Sequence, residues 1–199
     1  MLKRSSLPYA AALIAAAAIS ALTTISARAE DHPQDAVIVA KAQACAACHG
    51  ASGTPISATF PTIWGQQSNY LYKELHDFHS GDRSNPVMAP LIQGTSLEEL
   101  RAIANYFSAK TWPDKHDGTP AAPPEAIAAK MQQCKSCHQA NFEGGAPAPR
   151  LAGLSYEYLR SAMNAFADGQ RTNNLDMPGF MKSLTASERD AMAKYLAGL

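Results

Sequence analysis

The chain has 199 residues and sets 17 lysines and arginines against 17 aspartates and glutamates. It carries no basic stripe that would follow a nucleic acid and no polybasic cluster that would hold it to an anionic membrane surface. Its hydrophobic content of 46% is raised by an alanine-rich start.

That start has the plan of a secretory signal over residues 1–29. Lys3 and Arg4 precede an uncharged run from Leu7 to Ile25, and Ala27-Arg28-Ala29 reads as a small-x-small cleavage site before Glu30. An uncleaved anchor is the competing reading, because the run is about long enough to span a bilayer. Its alanines, together with Pro8, Ser20, Thr23 and Thr24, favour cleavage. Without Lys3, Arg4 and Arg28 the mature chain has 14 basic and 17 acidic residues, a net of −3. Residues 30–115 hold nine acids and six bases, and the rest hold eight of each. The acidic first half could orient docking, although a solvated surface explains it equally simply.

The first expected helix, Gln34 to Ala47, runs into Cys45-Ala46-Ala47-Cys48-His49. Cys-x-x-Cys-His is the attachment signature of c-type haem. Two thiols three positions apart can each form a thioether to one vinyl group of a porphyrin, and the adjacent imidazole can reach the iron. The motif recurs as Cys134-Lys135-Ser136-Cys137-His138, at the end of a helix expected over Glu125 to Ser136. The two copies use all four cysteines of the chain. A zinc site would have to draw both pairs to one metal and would leave both histidines spare. A redox dithiol would call for strand-rich surroundings, and two disulfides would suit an exported chain; neither explains the repeated histidine. The haem reading agrees with export and points to a bacterial periplasm.

Everything after the first motif is also written twice. Pro61-Thr62-Ile63-Trp64-Gly65 returns as Pro149-Arg150-Leu151-Ala152-Gly153. A second helix over Ser68 to His79, stopped by Gly81, returns over Ser155 to Ala167, stopped by Gly169. Arg83 matches Arg171. Loops from Gly81 to Gly94 and from Gly169 to Leu184 follow. Then come helices opened by capping boxes, Ser96-Leu97-Glu98-Glu99 and Thr185-Ala186-Ser187-Glu188. Leu97, Leu100, Ile103 and Phe107 form one apolar face at helical spacing; the second copy keeps Met192 and Leu196 but has Arg189 in place of Leu100. The offset is 89 at the motifs and at Met88/Met177, and 88 between them. No segment alternates as a strand, so the fold is expected to be all-α. The expected domains are 30–110 and 125–199, joined by a stiff, proline-rich linker over 111–124. Each is small enough to need a staple, which a covalent haem would supply. His76, His79 and His116 are expected to be exposed; the first two lie on a polar helix and have no counterparts in the second copy.

A haem with one histidine leaves its other face to be decided. Methionine there makes an electron carrier of raised potential, and an open face allows ligand binding. Met88 and Met177 each lie 40 residues after the second cysteine of their motif and eight before the capping residue. They are the expected sixth ligands, with Met181 as an alternative to Met177. Met131, Met163 and Met192 fall on expected helices and read as core filler.

In this order and this duplication the motifs resemble the two-haem cytochrome c4 family, each unit being similar to a small class I cytochrome c. The resemblance implies two pseudo-twofold-related domains, each wrapped around one covalent haem c, with the haems facing one another. It implies Cys45, Cys48, His49 and Met88 at one haem and Cys134, Cys137, His138 and Met177 at the other. One departure is Pro178-Gly179-Phe180-Met181-Lys182, which does not copy the apolar Ala89 to Ile92. The function implied is single-electron transfer in the periplasm, with no catalytic residues and no small-molecule substrate. Partners would be redox proteins: a membrane respiratory complex, a terminal oxidase or a dehydrogenase. The alternative is the electron-accepting subunit of a periplasmic dehydrogenase, in the manner of flavocytochrome c. A two-haem peroxidase would need one iron open to peroxide, which matched methionines disfavour.

Overall fold

A computed structural model describes residues 33–113 and 122–199. The expected leader, most of the expected linker and His116 lie outside the described residues. Among them there are eight helices and no strand; the nearest thing to sheet is one isolated bridge between Gly145 and Ala148.

Four helices make up each repeat. In the first they are α1 (Pro33–His49), α2 (Ser68–Ser80), α3 (Met88–Ile92) and α4 (Leu97–Ser108). In the second they are α5 (Glu125–His138), α6 (Tyr156–Ala167), α7 (Met177–Lys182) and α8 (Ala186–Ala197). The helices α1 and α5 continue through the motif histidines, so each Cys-x-x-Cys-His is itself helical. This explains the spacing: on a helix, residues three and four apart share a face.

The capped helices hold each repeat together. Ser96 and Thr185 accept from the backbone N–H of Glu99 and Glu188, whose carboxylates return a bond to the capping residue's N–H. Behind the first cap, α4 buries Leu100, Ile103, Ala104 and Phe107 against α1 and α2. Leu97 does not join them and is 47% exposed, because it sits on the first turn at the edge of that stripe. Helix α8 buries Met192, Ala193 and Leu196 against α5 and α6. The glycines of the two Pro-x-x-x-Gly segments dock in matched fashion: Gly65 N donates to Phe107 O (2.8 Å) and Gly153 N to Leu196 O (3.0 Å).

The expected loops before the last helices each contain a short helix, α3 or α7. Pro90 and Pro178 do not prevent these helices, because they lie in the first turn, where a missing N–H costs nothing. Asparagine starts both turns. Asn85 Oδ1 accepts from the N–H groups of Val87 and Met88, and Asn174 Oδ1 from those of Asp176 and Met177.

Arg189 is half-buried and has its own work where the first repeat has Leu100. Its guanidinium donates to Asn164 Oδ1 (2.8 Å) and to the carbonyls of Met181 (3.0 Å) and Leu184 (2.5 Å). It thus ties the end of α7 to α6 and α8. Among the described residues no helix is long and apolar enough to cross a membrane.

Candidate haem centres

The first centre is built on the end of α1. Cys45, Cys48 and His49 all line a cavity of about 1320 Å³ that also takes in Cys134, Cys137 and His138 from the end of α5. All four cysteines are free thiols. Burial pushes the thiols of Cys45 and Cys134 up from their ordinary pKa.

Both histidines are buried, each 7% exposed. His49 Nδ1 donates to the carbonyl of Pro61 at 2.8 Å, and His138 Nδ1 to that of Pro149 at 2.8 Å. A carbonyl can only accept, so Nδ1 carries the proton and Nε2 keeps its lone pair. Burial pulls both imidazoles below their usual pKa, only partly offset by these bonds, which holds them neutral as a metal ligand requires. The repeated prolines therefore have a definite task. Each presents a carbonyl that orients a ring and raises its basicity.

Met88 and Met177 stand at the first position of α3 and α7, half-buried and lining the same cavity. Met181 also reaches the cavity, but it is 3% exposed and belongs to the core with Leu154, Leu184 and Met192. Its counterpart in the first repeat is Ile92, likewise buried. Met131, Met163 and Met192 are core residues as well. His76 and His79 are partly exposed, and neither lines the cavity.

The residues present fit two covalently held haems. Pairs of free thiols, neutral buried imidazoles and thioether sulfurs surround one large cavity, and no other chemistry in it uses them. Two cations also line it, the half-buried Arg83 and the buried Arg171, of the sign that a haem's carboxylates require.

These arginines belong to a junction between the repeats that the sequence reading missed. Glu74 on α2 is 8% exposed. Its Oε1 accepts from Arg171 Nη2 (2.6 Å), and its Oε2 from Arg83 Nη1 (2.5 Å) and Asn173 Nδ2 (2.9 Å). Asp77 accepts from Lys73 and Asn173; burial alone would raise its pKa, but these donors hold it below the ordinary carboxylate value. A second junction joins Gln66 to the backbone of Arg150, and Ser155 Oγ donates to Ala58 O. The available signal was a break in the repeat: Glu74, Asp77 and Gln66 face Ala162, Ala165 and Leu154 in the second copy.

The Cytochrome c family model matches the chain twice, over residues 36–111 and 121–199. The chain is 36% identical to cytochrome c4 of Pseudomonas aeruginosa, over 80% of this chain and 86% of that one. It is 35% identical to a thiosulfate dehydrogenase electron acceptor of Stutzerimonas stutzeri, over 79% and 80%. The crystal structure of reduced recombinant cytochrome c4 from Pseudomonas stutzeri superimposes with a TM-score of 0.68 at 28% identity, covering 82% of this chain and 97% of that one. The chain thus belongs to the cytochrome c family, in its two-haem cytochrome c4 branch, and is an electron-transfer protein carrying two covalently bound haem c groups.

Proposed function

We propose that Cys45 and Cys48 hold one haem with His49 and Met88 as axial ligands. Cys134 and Cys137 hold the other, with His138 and Met177. Residues 30–110 and 125–199 form the two domains. The protein acts in the periplasm after removal of residues 1–29 and passes single electrons from a respiratory donor to an acceptor such as a terminal oxidase. Bound haem supplies the one-electron couple; the chain supplies the rest. The Pro61 and Pro149 carbonyls hold each histidine's proton on Nδ1 and free Nε2. The Asn85 and Asn174 turns fix where each methionine begins its helix. Arg83 and Arg171 offer charge for the carboxylate edge of the porphyrin.

One observation carries this reading. The same constellation of two thiols, a carbonyl-locked imidazole and an asparagine-positioned methionine occurs twice around one cavity. Met177 is preferred to Met181 because it alone repeats the placement of Met88, while Met181 fills the position of Ile92. In the reduced state the native protein should bind carbon monoxide slowly and incompletely at both sites. Met88→Ala and Met177→Ala should each open one site, and Met181→Ala should open none. Rapid binding by Met181→Ala, with Met177→Ala unchanged, would reverse the assignment of the second ligand.

A relative that accepts electrons for thiosulfate dehydrogenase supports a second reading, in which this chain serves one dehydrogenase as its electron acceptor. Val87 and Leu91 beside Met88, and Leu175 and Phe180 beside Met177, are exposed apolar side chains suited to such docking. Native mass spectrometry of protein drawn gently from its own periplasm separates the two readings. The mature chain with two haems and no companion is the free carrier; a stoichiometric complex with a catalytic chain is the subunit.

A further inference from the structure

We propose that Gln66, in the first repeat, sets the strength of the hydrogen bond that orients His138 in the second. It is thereby a positioning residue for the second haem's axial ligand. The inference rests on the reading of His138 as that ligand.

Gln66 is a buried amide, 2% exposed, and two of its three side-chain hydrogen bonds cross to the other repeat. Its Oε1 accepts from Arg150 N at 2.7 Å, and its Nε2 donates to Arg150 O at 2.9 Å, a two-point clamp on a residue 84 positions away. The orientation of the amide is fixed, because Oε1 also accepts from Gln67 N at 2.9 Å. A reversed amide would set its NH₂ against two N–H donors.

The clamp falls on one particular peptide group. Arg150 N belongs to the Pro149–Arg150 amide, and the carbonyl of that same amide accepts from His138 Nδ1 at 2.8 Å. A continuous chain of hydrogen bonds therefore runs from the imidazole through one resonant amide to Gln66. Donation by the N–H shifts electron density onto the carbonyl oxygen, and bonds in such chains strengthen one another. A stronger acceptor at Nδ1–H makes Nε2 more basic. A more basic axial ligand favours the oxidised iron and lowers the potential.

Gln66 does not act on the first repeat's histidine in this way. His49 has its own carbonyl, Pro61 O at 2.8 Å. The position matching Gln66 in the second repeat is Leu154, a hydrocarbon, so residue 154 cannot return the clamp. The support that Gln66 gives the second histidine exists only while the repeats are docked.

The test uses the mature two-haem protein and the variant Gln66→Leu, which copies Leu154. Both potentials are followed by NMR through a redox titration, using the ring protons of His49 and His138 to assign each step. The His138 Nδ1–H resonance is read in the reduced state. The expected result is an upward shift of the second potential, little change in the first, and an upfield move of His138 Nδ1–H. Gln66→Met, a second apolar side chain of similar length, also removes the acceptor on Arg150 N and should give the same selective upward shift. Ser155→Ala removes another bond between the repeats, to Ala58 O, without touching this amide, and should produce no selective shift. Equal effects from Ser155→Ala and Gln66→Leu would mean that docking alone is at work and would overturn the proposal, as would an unmoved His138 Nδ1–H. If His138 ring protons failed to respond to reduction in the unaltered protein, the ligand assignment itself would fall, and this inference with it.

Discussion

Replacing Glu74 by glutamine keeps the shape of the side chain and removes its charge. The carboxylate accepts from Arg171 at 2.6 Å, from Arg83 at 2.5 Å and from Asn173 at 2.9 Å. The side chains of Glu74 and Arg171 are only 10% and 8% exposed, so water cannot replace the lost partner. Breaking a buried ion pair from one side costs about 3–5 kcal/mol, chiefly because a charge is left behind in a poorly solvated place. For a protein of this size each kcal/mol moves the melting temperature by about 2–4 °C, which gives a fall of about 6–20 °C. Thermal unfolding of the two-haem protein, followed in the visible circular dichroism, reads this directly. Burial also makes the effect insensitive to salt, unlike that of an exposed pair. A loss below about 1 kcal/mol, the value of a solvent-exposed ion pair, would refute the view that this carboxylate is a buried link between the repeats.

Acid should weaken the two capping boxes only toward the bottom of the pH range. The pKa of Glu99 is pulled from 4.5 to about 2 by Lys41 and then by the Ser96 N–H, and that of Glu188 likewise by Lys130 and the Thr185 N–H. Their stabilisation is complete above pH 4.5 and is lost as the pH falls toward 2, so Glu99→Gln with Glu188→Gln should flatten the acid limb of a denaturation-versus-pH curve. Met181→Ala should cost about 2–5 kcal/mol as a cavity in the second core, measured by denaturant unfolding, with the visible spectrum of the haems unchanged. Gly144 has φ 77°, and an added Cβ would stand 2.3 Å from Arg150 N. Gly144→Ala should therefore push the Pro149–Arg150 strip away from His138 and lower the yield of protein with two haems; an unchanged yield and melting temperature would contradict the placement of that loop.

Duplication made most of each repeat legible. The helix starts at Ser96 and Thr185 could be read because a capping box is a local device, complete within four residues. The motif helices were legible for the same reason, although their ends were placed short because two cysteines and a histidine do not look like helix interior. The helices α3 and α7 were read as loops because five or six residues are too few to show a helical period. Their first turns are announced only by Asn85 and Asn174, whose bonds reach two and three residues on. The polarity of α2 was read as solvent exposure, but its Glu74 and Asp77 are buried and form the junction with the second repeat.

That junction could not be found by matching the repeats, since it consists of their differences. A pseudo-twofold relation brings like residues toward one another, and here it brings together Arg83 and Arg171. Two guanidinium groups held close in a poorly solvated place repel unless an anion lies between them. One carboxylate suffices, because Glu74 offers a separate oxygen to each arginine. A second carboxylate at the matching position would crowd the first with like charge, and the chain has Ala162 there. Gln66 and Leu154 show the same departure: the amide that clamps the Arg150 backbone has a hydrocarbon as its counterpart in the second repeat. A tandem protein whose halves must dock in one fixed way therefore departs from its own repeat where the halves touch, and positions that break an otherwise well-kept repeat are where its junction should be sought.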